Sequence, residues 1–109
     1  MRFRFKVWSE IDNRPLMGPG RYRLLSSLQQ TGSINAAATE VGISYRRAWA
    51  QIREMEELLG HPLVVANRGG TDGGGTRLTA EAVKLIKQYE KLSRKMDRAV
   101  SASGAMLTE

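Results

Sequence analysis

The chain has 109 residues, enough for one domain with a single modest core. Seventeen Lys and Arg against eleven Asp and Glu leave a formal net charge of +6, a balance that favours a polyanionic partner. With no Cys and one His (His61), a disulfide framework, a thiolate metal site, a Cys nucleophile and a multi-His metal centre are excluded, and 41% hydrophobic content argues against global disorder.

Residues 2–8 alternate Phe3, Phe5 and Val7 with Arg2, Arg4 and Lys6, the period-2 pattern of a strand with one apolar face. Asp12-Asn13 signals a turn and 14–17 a returning strand, so 1–17 is expected to be an N-terminal β-hairpin. Gly18-Pro19-Gly20 then breaks the chain. Three helices are expected within 21–60. Leu24, Leu25 and Leu28 stripe the first, over 22–30, and Thr31-Gly32 stops it. Ser33 is placed to cap the second, a short Ala-rich helix with Ile34, Ala37, Ala38 and Val41 on one side, ended by Gly42. Ser44 is placed to cap the third, which runs to Leu59 with Ala48, Ile52, Met55 and Leu59 as its buried stripe and Gly60 and Pro62 as its stop.

Residues 61–78 read as two short strands joined by a Gly-rich tip, because Gly69, Gly70, Gly73, Gly74 and Gly75 are incompatible with a helix. The tip is not a P-loop: it has no Lys and lacks the required spacing. A long helix follows over 79–101, capped by Thr79 with Glu81 in its first turn, and 102–109 is expected to fray. Leu85, Tyr89, Leu92, Met96 and Ala99 recur on it at steps of four and three, a short coiled-coil seam. No apolar run approaches the ~20 residues that span a bilayer. The N-terminus has no apolar core of a secretory signal, so a soluble, cytoplasmic domain without a membrane partner is expected.

The third helix carries Arg46 and Arg47 in its first turn and Glu54, Glu56 and Glu57 near its last, both groups set against the helix dipole. An external polyanion at the amino end would offset the arginine half of that cost; the alternative is a solvated face with indifferent charge placement. Two helices joined by a tight turn, the second opening with a cap and two arginines and followed by a strand–tip–strand unit, make a winged helix-turn-helix in a mainly α chain.

The run Gly32-Ser33-Ile34-Asn35-Ala36-Ala37-Ala38-Thr39-Glu40-Val41-Gly42-Ile43-Ser44-Tyr45-Arg46-Arg47-Ala48-Trp49 resembles the N-terminal DNA-binding domain of the ModE-type molybdate-responsive transcription regulators. So do Gly60-His61-Pro62-Leu63-Val64, the two Gly clusters of the tip, Arg77-Leu78-Thr79 and the upstream Gly18-Pro19-Gly20, so that the resemblance covers about residues 3–100. More loosely, the layout is similar to the winged helix of LysR-type regulators. The resemblance implies a bacterial regulator, a repressor in the simplest case, acting as a homodimer paired through the long helix on a palindromic operator in double-stranded DNA. Full-length ModE-type members carry C-terminal molybdate-binding domains with no counterpart in these 109 residues. The chain is therefore expected to be an isolated DNA-binding member that does not bind molybdate directly and needs no cofactor.

Arg46 and Arg47 are the leading DNA contacts, since Arg pairs bidentately with guanine O6 and N7. Ser44 caps its helix or touches a phosphate, and Tyr45 suits a phosphate or a thymine methyl. Trp49 has two readings, DNA contact and packing against the wing or first helix. Arg53 continues the Arg46 face toward the backbone, and Ser33 opens a helix whose amino end faces DNA in such motifs. Arg68 and Arg77 flank the wing tip, where they would straddle a minor groove unless the tip is a turn without a partner. His61 is a helix-end residue. No nucleophile–base spacing suggests an enzyme; the competing reading is a protein-interaction module built on the long helix, with only weak DNA binding.

Overall fold

A computed structural model describes residues 2–67 and 75–108, with side chains described for 2–66 and 75–102. In chain order it contains β1 (Ser9–Ile11), β2 (Arg14–Met17), α1 (Pro19–Thr31), α2 (Ile34–Val41), α3 (Tyr45–Leu59), β3 (Val64–Asn67), β4 (Gly75–Leu78) and α4 (Ala80–Thr108). β1 and β2 form an antiparallel hairpin turned at Asp12 and Asn13, both with positive φ. A second hairpin, β3–β4, is the wing, in the register Val64↔Leu78, Val65↔Arg77, Ala66↔Thr76 and Asn67↔Gly75.

Helix ends follow local chemistry. Ser33 Oγ accepts the Ala36 N–H at 3.1 Å and Ser44 Oγ the Arg47 N–H at 3.0 Å, so both serines cap as expected. Gly32, Gly42 and Gly60 end α1, α2 and α3 in the left-handed region, which glycine enters without steric cost. The core is one cluster at the meeting of α1, α2, α3, β2 and the start of α4, with Met17, Leu24, Leu25, Leu28, Ile52, Met55 and Leu63 its largest enclosed side chains. Burial of each such side chain contributes about 1.5–3 kcal/mol.

Several expectations are corrected. Residues 2–8 form no strand: β2 reaches only Met17 before α1 begins, so no ladder partner remains for them, and Phe3 and Phe5 are exposed. The hairpin is therefore 9–17. α1 starts at Pro19, not 22, because proline fits the first helical turn, where its missing N–H has no role. α4 remains helical through Thr108 where fraying was expected from 102; Ala102, Ala105, Met106 and Leu107 favour helix and no proline intervenes. The core side of α4 is Ala82 and Ile86, which the seam pattern passes over.

Tyrosines close the upper end of the molecule. Tyr22 of α1 stacks on Tyr89 of α4 at 5.1 Å, and Tyr22 Oη donates to Glu90 at 2.6 Å. That hydrogen bond, with burial, raises the Tyr22 pKa. Tyr89 Oη donates to the Val7 carbonyl at 2.8 Å, pinning the segment before β1.

Candidate nucleic-acid interface

The opposite end of the molecule gathers three backbone features. α1 ends at Gly32, where the turn into α2 begins. The Thr76 N–H of β4 donates to Gly32 O at 2.9 Å, so the wing is stitched to that turn. The stitch needs glycine at 75, because a Cβ there would lie 2.5 Å from Gly32 O. Thr79 completes the wing base: its N–H donates to Leu63 O at 2.9 Å and its Oγ1 to Pro62 O at 2.9 Å. Thr79 Oγ1 also accepts the Ala82 N–H, capping α4.

α3 buries Ala48, Ile52 and Met55 and leaves its amino end open. Ser44, Tyr45, Arg46 and Arg47 are exposed there, Tyr45 with 52% of its surface free. Among the described residues, neither Arg46 nor Arg47 enters an ion pair. Two guanidinium groups and the unpaired N–H groups of the first turn share this surface, a natural anion site. Ser33 and Ser44 each accept a backbone N–H, which leaves each hydroxyl proton free to be donated outward. Arg77 is exposed on β4 opposite Val65. Arg68 lies outside the described residues.

The acidic half of α3 behaves differently. Glu54 Oε2 accepts from Arg14 at 3.5 Å and Glu54 Oε1 from Arg21, which together hold its carboxyl below the usual value. Glu56 Oε1 accepts from Arg53 Nη1 at 2.7 Å, while its Oε2 accepts the N–H groups of Leu63 and Val64 at 2.8 and 3.4 Å. Burial pushes the Glu56 pKa up, but those hydrogen bonds and the Arg53 charge outweigh it and hold the pKa down. These two glutamates thus have internal partners, whereas Glu57, like Arg46 and Arg47, is exposed and enters no ion pair among the described residues.

Trp49 is half-buried against the core, with Tyr45 edge-on at 6.5 Å and the Arg53 guanidinium carbon 4.5 Å from its ring centre. Arg53 is therefore held between Trp49 and Glu56. Of the seam residues, Leu85 and Tyr89 pack partly on the core, whereas Leu92 and Met96 are 48% and 38% exposed and Ala99 is exposed. Sequence reasoning missed Glu56 as a wing anchor. The only signal was an acidic residue placed unfavourably in the last turn of a helix, and its partners lie beyond the helix stop.

A tight two-helix turn, an open arginine-bearing amino end and a flanking wing define a winged helix-turn-helix protein. The chain belongs to the LysR family of bacterial regulatory helix-turn-helix proteins, whose family model matches residues 20–83. It is 43% identical over 81 residues to the transcriptional regulator ModE of Haemophilus influenzae, an alignment covering 74% of this chain and 32% of that protein. It is also 43% identical to the molybdenum-pterin-binding protein MopB of Rhodobacter capsulatus, over 79% of this chain and 32% of that one. The chain thus spans about a third of the length of these relatives. In structure it is similar to the BenM DNA-binding domain in complex with benA site 1 DNA, with a TM-score of 0.58 and 24% identity over 79% of this chain and 91% of that one. The CbnR DNA-binding domain in complex with DNA gives a TM-score of 0.59 and 21% identity over 79% and 93%. At these identities the structural likeness is one of fold.

Proposed function

We propose that the chain is a sequence-specific DNA-binding transcription regulator that acts as a homodimer on a palindromic operator. The observation that carries this reading is the open amino end of α3, where Arg46 and Arg47 are exposed and, among the described residues, enter no ion pair. In this reading α3 enters the major groove, Arg46 and Arg47 read guanine edges, and Tyr45 contacts a phosphate or a thymine methyl. Ser33 and Ser44 donate to phosphates and Arg77 lies along the adjacent minor groove. Trp49 and Arg53 back this surface. The name of one relative, a transcriptional regulator, supports the class.

α4 supplies the dimer seam through Leu92, Met96 and Ala99, with Leu85 at its base and Tyr89 turned toward α1. Two copies then read half-sites about one helical turn, ~34 Å, or a multiple apart. The regulator works in the cytoplasm, performs no chemistry and does not bind molybdate through these residues; retention of molybdate by the chain in equilibrium dialysis would contradict the last point. Selection of bound duplexes from a random pool tests the whole reading. It should return a two-fold symmetric sequence, and recovery of unrelated sequences would overturn it. A protein-interaction module is the second reading, favoured by the exposed Leu92 and Met96. It requires a strict monomer in sedimentation that binds all duplexes equally weakly.

A further inference from the structure

We infer that Glu56, in the last turn of α3, is a positioning residue that ties the wing to the helix whose other end carries Arg46 and Arg47. The inference rests on the reading of α3 as the recognition helix.

The geometry is continuous. Glu56 Oε2 accepts the N–H of Leu63, the residue before β3, at 2.8 Å and that of Val64, the first residue of β3, at 3.4 Å. Its Oε1 takes the Arg53 guanidinium at 2.7 Å. Arg53 lies over the Trp49 ring at 4.5 Å, and Tyr45, the first residue of α3, meets that ring edge-on at 6.5 Å. The Glu56 side chain is only 11% exposed, so solvent competes weakly for Oε2, whereas Arg53, on Oε1, is itself 64% exposed. A carboxylate is the one side chain that accepts from two amides and a guanidinium at once; a glutamine in its place keeps a single acceptor oxygen.

Other ties to the wing lead elsewhere. Thr76 N–H binds the α1–α2 turn, and Thr79 binds the residues before β3. Among the described residues, the hydrogen bonds from the wing to α3 both end on Glu56. Val64 pairs with Leu78 and Val65 with Arg77, so a shift at the Glu56 anchor is transmitted to Arg77 through the ladder. Glu56 therefore fixes the distance between the major-groove contacts of α3 and the minor-groove contact of the wing. That distance decides which flanking bases the wing meets.

The test compares Glu56→Ala, Glu56→Gln and Arg53→Gln with the parent chain. Amide hydrogen exchange on the free protein reads the anchor without DNA. Leu63 and Val64 should exchange faster in Glu56→Ala, while the Thr76 amide keeps its protection; unchanged exchange at Leu63 and Val64 overturns the inference whether or not the chain binds DNA. Hydroxyl-radical footprinting on a duplex recovered by selection reads the consequence. Glu56→Ala should lose protection at the wing flank, keep it at the centre, and bind about 3- to 30-fold more weakly. Glu56→Gln should retain much of the Leu63 protection yet lose the Arg53 pair, and so fall between. Arg53→Gln should leave the Leu63 amide protected. An Ala variant with the parent footprint, or one that loses centre and flank equally, overturns the positioning role. Should Glu56→Ala fail to fold by circular dichroism, Glu56→Gln carries the test, and exchange at Leu63 and Val64 equal to the parent's then overturns the inference. Absence of any preferred duplex for the parent chain defeats the recognition-helix reading and leaves the exchange result to decide the anchor.

Discussion

Single residues at the wing and at α3 divide into those that face outward and those that hold the outward-facing ones in place. Arg46 and Arg47 have no internal partner among the described residues, so their removal should cost the fold little. Gly75 is the reverse case, buried in consequence though exposed in area. A Cβ at that position meets a backbone oxygen at 2.5 Å, which no side-chain rotation relieves. Gly75→Ala should therefore push β4 away from Gly32 and destabilise the chain by about 1–3 kcal/mol, the usual cost of overpacking. A melting temperature equal to the parent's would show that the wing yields freely. The two arginines were legible in the sequence because a charge against a helix dipole stands out within a few residues. Glu56 carried the same mark but was unreadable, since its partners Leu63 and Val64 become neighbours only when the chain turns back after Gly60.

Secondary-structure elements were legible where their ends are chemically punctuated. α2 and α3 begin after Ser33 and Ser44 and end before Gly42 and Gly60, as spacing and capping rules require. Residues 2–8 show where such reading stops. Alternation describes a strand's faces but does not supply a neighbour, and here β2 is too short to be one. Tyr89 shows a second limit, because a heptad step cannot tell a partner helix from α1, on whose Tyr22 it stacks. Between elements, the acidic end of α3 makes a pH-dependent joint. Glu54 ties α3 to Arg14 and Arg21, and Glu56 ties it to the wing. Both carboxyls titrate below the ordinary value of 4.5 in the folded chain. Their stabilisation is then complete above that value and is lost as pH falls through the lowered folded values. Melting temperature should hold between about pH 7 and pH 5 and drop in more acid solution. The double variant Glu54→Gln, Glu56→Gln should lose less over the same range, and parallel curves for variant and parent would assign the acid sensitivity elsewhere.

At the scale of the molecule, α1 separates two ends with different tasks. One end holds Gly32 and the wing; the other holds Tyr22, Tyr89 and the segment before β1. α4 runs 29 residues, about 43 Å at 1.5 Å per residue, and presents Leu92 and Met96 to solvent. In the proposed dimer these residues meet their copies. Leu92→Glu should convert the sedimenting species from dimer to monomer and weaken operator binding far more than one lost contact, because bivalency goes with it. An unchanged dimer mass would place the seam on another face. Phosphate neutralisation by two copies also makes the affinity fall steeply with added salt. The central claim, that the arginine end of α3 reads guanine in the major groove, is tested most directly by methylation interference at guanine N7 on a selected duplex. N7 methylation within the half-sites should block the parent chain, and the Arg46→Ala, Arg47→Ala variant should bind weakly and indifferently to it. Parent binding that tolerates N7 methylation throughout the site would contradict the claim.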